Sequence, residues 1–365
     1  MNKLIYSLAA FLAFPSAIMA AQPLIDTIKT VPQISGVSGR ILDNNNLDIL
    51  GDSFGSKESP LPILWDDFEN GVVGEHPVKP LIGNTNWGEG ENVVYTNTVT
   101  RPGSTRSSRH DFYSNYRAAL KFAGGPWGKL YVSWYYRTDY KDLTIYNGFP
   151  TRNYKVVRFE GDNGTKTGDQ HEGVPLIAYE LRGVGDTGAF ETALRAQYSP
   201  VLQSGTYYGS SIKWAHQTWS RIEMYLNVVD GQKEYKIWEN SIDKSPSKSS
   251  SAWENCFSPY FGGDNSRFNE LFFGIYFSKD NGASAYLYMD DIYIDTSQAR
   301  VELGNSPEWE KNTHREIQIP TNWTDNKITI KLNTGSFNNY DEAYLYVIDA
   351  DGRTNRKGHK VIIGK

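Results

Sequence analysis

Residues that could act on a sugar acid are spread over several predicted strands in the middle of the chain. Elimination across a uronate needs a base that takes the C5 proton, an acid for the leaving oxygen, and a cation or amide that neutralises the carboxylate. Neighbouring strands and one loop offer these residue types as candidate catalytic groups: Arg158, His171, Tyr179, Arg182 and Gln197. This set predicts β-elimination on a uronate-containing polymer as one activity open to the chain.

Strand periodicity decides which of these side chains could act together, because side chains alternate between the two faces of a strand. Arg158 and Tyr154 share a parity, and so do Arg195 and Gln197, so each pair is predicted to project from one face. Residues 180–182 also match the end of the Arg-Thr-Glu-Leu-Arg strand of jelly-roll alginate lyases, which they resemble. The rest of that motif and the Gln-Ile-His strand of those enzymes are absent from the sequence.

Aromatic residues in polar contexts rich in glycine and asparagine indicate a second kind of site. With 24 Tyr, 16 Phe and 10 Trp, the chain has more aromatic side chains than a core of its size needs. The flat C–H face of a sugar stacks on Trp or Tyr, while its hydroxyl groups bond to nearby polar side chains. We predict that a polysaccharide groove is lined by members of this set: Trp87, Tyr95, Tyr113, Tyr116, Tyr146, Arg195, Tyr207, Tyr208 and Trp214.

Three carboxylates, Asp290, Asp291 and Asp295, stand close together in the last strand of the central region. Retaining glycosidases need two carboxylates about 5 Å apart on one face. Strict alternation puts Asp290 and Asp291 on opposite faces, and the Glu-x-Asp-x-x-Glu signature of family 16 glycosidases is absent. We therefore predict a structural cluster, or oxygen ligands for a structural calcium ion. No other cofactor is expected.

Charge and targeting signals limit the partners. The net charge is −5 and no basic block is present, which argues against nucleic acid.

Met1 to Ala20 combines Lys3, an apolar stretch and small residues, as secretory signal peptides do. No later stretch is apolar over the length of a membrane span. Cys256 is the only cysteine, so no intrachain disulfide can form. We expect an exported protein without a transmembrane segment after signal removal.

The spacing of strand-like runs between residues 67 and 300 predicts an antiparallel, all-β domain with few helices. The closing stretch Phe272–Asp295 has two aromatic arms around a Lys-Asp-Asn-Gly turn, which predicts a hairpin. Earlier strands are predicted at Ala118–Phe122, Leu130–Tyr136, Tyr154–Phe159, Leu176–Leu181, Glu191–Tyr198, Trp219–Asn227 and Glu234–Glu239.

Part of this central region resembles the concanavalin A-like lectins and glucanases. The resemblance is carried by the strand Trp219–Tyr225, the turn Asp230–Gly231 and the final Asp-Asp-Ile-Tyr-Ile-Asp strand. It implies a jelly roll over residues 67–300 whose concave sheet faces a carbohydrate. It does not imply whether that sheet binds or cuts.

The two ends of the chain resemble pieces of one immunoglobulin-like IPT/TIG domain. Strands predicted at Ile34–Val37 and Leu47–Leu50 lead into the corner Gly51-Asp52-Ser53-Phe54-Gly55, and a third is predicted at Ile63–Trp65. Such a domain needs about seven strands. Four more are predicted at Glu316–Ile319, Ile328–Leu332, Ala343–Ile348 and Lys360–Ile363. We predict a split Ig-like domain, residues 33–66 plus 302–365, with the jelly roll inserted; two unrelated flanking modules are the alternative.

These features favour an exported protein that recognises a polysaccharide on the concave face of its jelly roll. A polysaccharide lyase acting on the same face is one alternative. The other is a structural or adhesive envelope protein, in which the Ig-like domain serves as a spacer or binds an envelope partner. A lyase requires a Tyr or His beside an Arg or Gln in a cleft, whereas a binding protein requires an aromatic and polar platform.

Overall fold

The computed structural model describes residues 30–88, 90, 92–112, 118–139, 153–161, 176–184, 189–197, 206–210, 215, 217–227, 229, 234–245, 268–277 and 286–365. Within these ranges the chain forms antiparallel strands and no α-helix, which confirms the all-β prediction. A turn of 3-10 helix covers Trp309–Lys311. No helix in the described ranges is long and apolar enough to cross a membrane. Residues 31–365 group into one compact unit.

The strands, in chain order, are β1 (Gln33–Gly39), β2 (Asn46–Asp52), β3 (Leu64–Asp66), β4 (Ile82–Gly83), β5 (Val93–Thr96), β6 (Ser107–Asp111), β7 (Leu120–Trp127), β8 (Lys129–Thr138), β9 (Asn153–Gly161), β10 (Leu176–Val184), β11 (Ala189–Gln197), β12 (Thr206–Ser210), β13 (Ser220–Asn227), β14 (Glu234–Glu239), β15 (Ile242–Asp243), β16 (Phe268–Phe277), β17 (Tyr286–Asp295), β18 (Arg300–Gly304), β19 (Arg315–Trp323), β20 (Lys327–Lys331), β21 (Glu342–Ile348) and β22 (His359–Ile362).

These strands form three sheets in the described part of the chain. A nine-stranded sheet runs β15-β14-β13-β8-β17-β3-β4, with β6 paired to β17 and β5 paired to β6. A six-stranded sheet runs β12-β11-β10-β9-β16-β7. A seven-stranded sheet, called the third sheet below, runs β1-β2-β20-β19-β18-β21-β22.

The nine-stranded and six-stranded sheets pack face to face around the largest core. Leu130, Val132 and Trp134 of β8 alternate into this core, and Val157 and Phe159 of β9 enter it from the other side. All five side chains are fully buried. This packing makes a sandwich, because each sheet covers the apolar face of the other.

The predicted closing hairpin is wrong. Its two arms do form strands, but β16 pairs with β7 and β9 in the six-stranded sheet, whereas β17 pairs with β3, β6 and β8 in the nine-stranded sheet. The chain therefore passes from one sheet to the other between them. Each arm has an apolar face, and burying the two faces against each other across the sandwich satisfies both.

Strict alternation also fails in β17. In the pairing of β17 with β8, Asp290 lies opposite Tyr135 and Tyr293 opposite Ser133, so one extra residue is inserted in β17. Asp291 adopts a φ of 48°, outside the usual region for strands. This β-bulge changes which residues of β17 face the core, from odd-numbered residues before it to even-numbered residues after it. Leu287 and Met289 before it, and Ile292 and Ile294 after it, consequently share the sandwich core.

The two ends of the chain meet in the third sheet. β2 pairs with β20, with Leu47 opposite Ile330, and the backbone N–H of Ile41 donates to the carbonyl of Lys365 at 2.7 Å. Leu47 and Ile330 share a separate core with Val301 and Leu345. The assignment of this sheet to the IPT/TIG family stays a prediction.

Two boundaries of the predicted split domain differ from the structure. The predicted strand Ile63–Trp65 is shifted by one residue and pairs with β17 in the nine-stranded sheet, because Leu64 is buried in the central core. β18 was not predicted, since Arg300 and Glu302 interrupt its apolar pattern. β18 pairs with β19 and β21 at the centre of the third sheet.

We expect the substitution Leu47→Ala to lower the free energy of unfolding by about 2 to 5 kcal/mol, because it removes methyl groups from a filled core. Leu50→Ala in the same strand is the control, since Leu50 is 39 % exposed and Leu47 is 0 % exposed. Urea denaturation of both variants measures the difference. Equal, small losses for both would contradict the pairing of β2 with the C-terminal strands.

Candidate functional site

The register of the six-stranded sheet gathers several of the predicted site residues into one row. Across neighbouring strands, Arg158 of β9 lies opposite Ala178 of β10, Ala178 opposite Arg195 of β11, and Arg195 opposite Tyr207 of β12. In the other direction Arg158 lies opposite Phe272 of β16, and Phe272 opposite Lys121 of β7. We call these six residues the cross-strand row.

The cross-strand row lies on the face of the sheet that is turned away from the sandwich core. Leu271 and Phe273, the neighbours of Phe272 in β16, are buried in that core, as are Val157 and Phe159 on either side of Arg158. Because successive residues in a strand alternate, the row belongs to the opposite, outer face. Arg182 and Gln197 fall at outer-face positions of β10 and β11 as well, at even spacings from Ala178 and Arg195.

The described side chains of the row combine cations with an aromatic ring. The Lys121 ammonium lies 5.5 Å from the centre of the Phe272 ring and 2.8 Å from a carboxylate oxygen of Glu270. Lys121 and Glu270 are each about one quarter exposed, whereas Arg158 is 5 % exposed and Phe272 3 % exposed. The face thus has a buried cation at Arg158 and an accessible ion pair near its β7 edge.

The register separates Tyr179 and Tyr208 from this face. Tyr179 lies opposite Val157 and Leu194, and Leu194 lies opposite Tyr208. Since the side chain of Val157 is buried in the sandwich core, this row belongs to the core side of the sheet. By register, position 179 lies in the row of Val157, and the catalytic role of Tyr179 stays a prediction.

A second β-bulge changes one predicted pair. β10 pairs Tyr179 with Val157 and Glu180 with Lys155, so Val156 is the extra residue in β9. Val156 and Val157 are both buried in the core. Arg158 and Tyr154 therefore do not share a face, although their sequence spacing is even, whereas Arg195 and Gln197 keep the predicted relation.

Two predicted sugar-stacking residues lie in the core instead of a groove. Trp87 is 5 % exposed, packs edge-on against Phe273 with ring centres 6.0 Å apart, and donates its indole N–H to Asp66 at 2.7 Å. Tyr95 is 9 % exposed and packs against Phe68 at 6.2 Å. Both rings have little surface for a sugar.

The predicted residues His171, Tyr113, Tyr116, Tyr146 and Trp214 lie outside the described residues.

The three predicted calcium ligands contact cations of the protein. Because of the bulge in β17, Asp290 and Asp291 both face Arg101, which is a correction to the predicted alternation. Asp295 accepts a bond from the ammonium of Lys57 at 2.6 Å and from the hydroxyl of Tyr293 at 2.8 Å. Within the described ranges, no group of three or more His, Cys, Asp or Glu side chains is arranged to hold a metal ion.

A layer of buried charges joins the nine-stranded sheet to the third sheet. Arg221 of β13 donates to Glu302 of β18 at 2.7 Å, and Arg300 of β18 donates to the same carboxylate at 2.7 Å. Arg315 of β19 donates to Glu223 of β13 at 2.8 Å. These five side chains, which we call the charged layer, are each at most 4 % exposed.

The charged layer keeps its glutamates ionised. Burial by itself would raise the pKa of Glu223, but the guanidinium groups of Arg221, Arg315 and Arg300 hold that pKa well below its usual value. Burial also opposes ionisation of Glu302, yet pairing with cations, chiefly Arg221, lowers the pKa of that carboxyl. In the bulge of β17, burial outweighs ion pairing. It raises the pKa of Asp291 to about 7 against the attraction of Arg101.

Lys121, Phe272 and the charged layer are not among the site residues predicted from the sequence. The signal for the layer was present as charged residues two apart in apolar strands, Arg221 with Glu223 and Arg300 with Glu302. Charged residues at one parity of a buried strand indicate a face that contacts another charged surface. The cross-strand row has no such signal, because it depends on the pairing register of six separate strands.

The fold and the cross-strand row define an all-β protein with a candidate binding face on one of its sheets. No protein-family model matches the chain, and no curated protein matches it. Weak structural likenesses exist. One is to a cellulose-induced protein, Cip1, with a TM-score of 0.39 and 15 % identity over 64 % of this chain and 97 % of that one.

Two further structures show the same degree of likeness. A structure described under gut-microbial endo-acting O-glycanases has a TM-score of 0.38 and 10 % identity over 64 % of this chain and 99 % of that one. A botulinum neurotoxin type C structure, described with two ganglioside molecules, has a TM-score of 0.38 and 10 % identity over 79 % of this chain and 70 % of that one. Likeness at this level assigns neither family nor function.

We expect Arg221→Met to lower the free energy of unfolding by about 3 to 5 kcal/mol, because Glu302 and Glu223 then lose a buried partner. Lys236→Met is the control, since its ion pair with Glu234 is about one third exposed and should contribute less than about 1 kcal/mol. Urea denaturation at neutral pH measures both. A smaller loss for Arg221→Met than for Lys236→Met would contradict the role given to the charged layer.

Asp66 should make stability depend on pH. Burial raises its pKa from 3.8 to about 7, against hydrogen bonds from Trp87 and the N–H of Phe68. The folded state therefore binds the proton more tightly than the unfolded state, so the free energy of unfolding falls as pH rises from about 4 to 7. We expect Asp66→Asn to remove about 2 kcal/mol of this fall between pH 5 and 7. Parallel, equally steep pH profiles of the two proteins would show that Asp66 does not titrate in this way.

Proposed function

We propose that this protein recognises an acidic polysaccharide, one that contains uronate units, on the outer face of its six-stranded sheet. The cross-strand row carries the proposal. It places Lys121, which is one quarter exposed, on one line with the positions of Arg195 and Tyr207, while Arg158 and Phe272 are buried between them. Cations that pair with carboxylates, beside aromatic residues that stack on sugar rings, are the groups that such a polymer requires.

The spacing of the row suits a repeating ligand. Neighbouring strands lie about 4.8 Å apart, so the backbones of Lys121 and Arg195, four strands apart, are separated by about 19 Å. Ala178 stands between them and adds no bulk. An arginine can bond a carboxylate through two parallel N–H groups, which makes such a pair specific as well as favourable.

Recognition is favoured over elimination by the position of Tyr179. A lyase on this face would need a proton-transferring group beside Arg158, whereas position 179 pairs in register with Val157, which is buried in the core. Arg182 and Gln197 remain on the outer face, where they can bond sugar hydroxyls or carboxylates. The described positions of this face therefore offer groups that can bind a polysaccharide and neutralise its carboxylates.

The proposal includes export and a role for the third sheet. The segment Met1–Ala20, with Lys3 before an apolar stretch, supports secretion. An Ig-like domain joined through the charged layer to the nine-stranded sheet, which packs on the binding sheet, would present the binding sheet to an envelope partner. Structural calcium at Asp290 and Asp291 would compete with Arg101, which contacts both carboxylates.

Affinity electrophoresis with uronate-containing and neutral polysaccharides tests the proposal. We expect retardation of the mature protein by at least one uronate polymer, no rise in ultraviolet absorbance from unsaturated chain ends, and at least tenfold weaker binding for Arg195→Gln and Tyr207→Ala. A tenfold loss corresponds to about 1.4 kcal/mol. Salt should weaken binding, because exposed ion pairs are screened.

Two control variants test whether weaker binding is specific to the outer face or follows from the loss of any arginine or tyrosine. Arg40→Gln removes an exposed arginine of the third-sheet region, and Tyr340→Ala removes a tyrosine that is 78 % exposed. Both should bind like the wild type. Equal weakening by controls and row variants, or retardation by neutral polymers alone, overturns the proposal, and rising absorbance on a uronate polymer replaces recognition with a lyase.

A further inference from the structure

A cleft of about 460 Å³ lies where the nine-stranded sheet meets the third sheet, away from the cross-strand row. The turn between β1 and β2 and the segment after β20 form one side. The segment after β3, strand β4 and the loop at residues 101–104 form the other side. Its volume falls in the range of about 300 to 1,000 Å³ that is typical of small-molecule sites.

One part of the cleft wall is apolar. Trp65, Leu81, Ile82 and Ile319 line it. Leu81 is 45 % exposed, so its side chain is available to a ligand, while Trp65 beneath it is 3 % exposed. A wall of this kind can pack against the C–H face of a sugar ring.

Most polar groups of the cleft are already held by the protein. Asp43 accepts bonds from the N–H and hydroxyl of Thr334 at 3.0 and 3.1 Å. Glu69 accepts bonds from the N–H groups of Thr105 and Arg106 at 2.7 and 3.1 Å, and Arg101 donates to Glu316 at 2.9 Å. These bonds fix the walls, so the shape of the cleft is set before any ligand enters.

Asp67 and Lys331 both line the cleft. Asp67 follows β3, and one of its oxygens accepts a bond from the N–H of Glu69 at 3.1 Å. Lys331 ends β20, is exposed, and attracts Asp67 electrostatically without an ion pair between them in the described structure. The lining thus contains an acceptor at Asp67 and a donor at Lys331. Asn70, also exposed, adds an amide at the rim.

The charge of the lining selects among ligands. Four carboxylates, those of Asp43, Asp67, Glu69 and Asp291, line the cleft beside the cations of Arg101 and Lys331. This excess of negative charge repels a free anion. A neutral ligand with several hydroxyl groups and one apolar face fits both the charge and the two kinds of wall.

We propose that this cleft is a second binding site, which takes a neutral saccharide unit with one or more hydroxyl groups bridging Asp67 and Lys331. This inference goes beyond the proposed function, since it concerns another surface and an uncharged sugar. A hydroxyl group can donate to the Asp67 carboxylate and accept from the Lys331 ammonium at the same time. The ring then packs against Leu81 and Ile82.

Saturation-transfer NMR and titration calorimetry on the whole mature chain test the proposal, with glucose, galactose, mannose, N-acetylglucosamine and cellobiose as probes. We expect at least one probe to bind with millimolar affinity or better. Asp67→Asn and Lys331→Gln should each weaken that binding at least tenfold, with unchanged melting temperature. In the first variant, the amide that replaces the Asp67 carboxylate keeps an oxygen for the N–H of Glu69.

Lys327→Gln is the matched control, because Lys327 lies four residues before Lys331 in β20 and pairs with Asp48 outside the cleft. It should bind the probe like the wild type. Leu81→Ser, at an exposed position, should weaken binding without affecting folding. Absence of binding by every probe, or equal affinity of Asp67→Asn, Lys331→Gln and the wild type, overturns the proposal. Arg195→Gln should leave this binding unchanged, so failure of the sheet-face function and failure of the cleft are distinguishable.

Discussion

Pairing of buried charges between two sheets is the interaction on which the rest of this structure depends. A guanidinium or carboxylate removed from water costs several kcal/mol unless an opposite charge and further hydrogen bonds replace the solvent. Arg221 meets this condition only when β13 and β18 are both in place, because its partner Glu302 comes from the third sheet. Glu223 likewise needs Arg315 of β19. The charged layer therefore favours one relative position of the two sheets, since a displaced arrangement would leave ions unpaired.

This layer determines which surfaces remain for ligands. The nine-stranded sheet is covered on one face by the six-stranded sheet and on the other by the charged layer and a small apolar cluster around Tyr131 and Tyr293. Every residue of β13 is buried as a result. The outer face of the six-stranded sheet lies on the far side of the sandwich from this layer, and the cleft at Asp67 and Lys331 is a gap at the border of the covered face. Both candidate sites thus follow from the same packing.

Strand identity could be predicted from local pattern, because alternation of apolar and polar residues and turn signals are encoded within a few residues. The predicted run Glu234–Glu239 matches β14, and Trp219–Asn227 differs from β13 by one residue. The predicted hairpin Phe272–Asp295 failed for a physical reason: both arms carry an apolar face, and a local pattern does not show whether two arms exchange hydrogen bonds or face each other across a core. Arg158, Arg195 and Tyr207, three of the predicted site residues, share a row by register, and their roles stay predictions.

The sequence by itself determined the all-β class, the absence of an intrachain disulfide, and the residue types available for carbohydrate contact. Only the tertiary structure decided which of these residues share a face. Insertion of a single residue reverses the alternation of a strand, and the bulges at Val156 and at Asp290 and Asp291 do so where the sequence pattern is continuous. Only the tertiary structure, too, brought Arg101 to two aspartates far along the chain and Lys331 to the cleft of Asp67. These contacts depend on pairing between strands that are distant in the sequence. The free energy of that pairing comes from burying surfaces that a short stretch of sequence does not reveal.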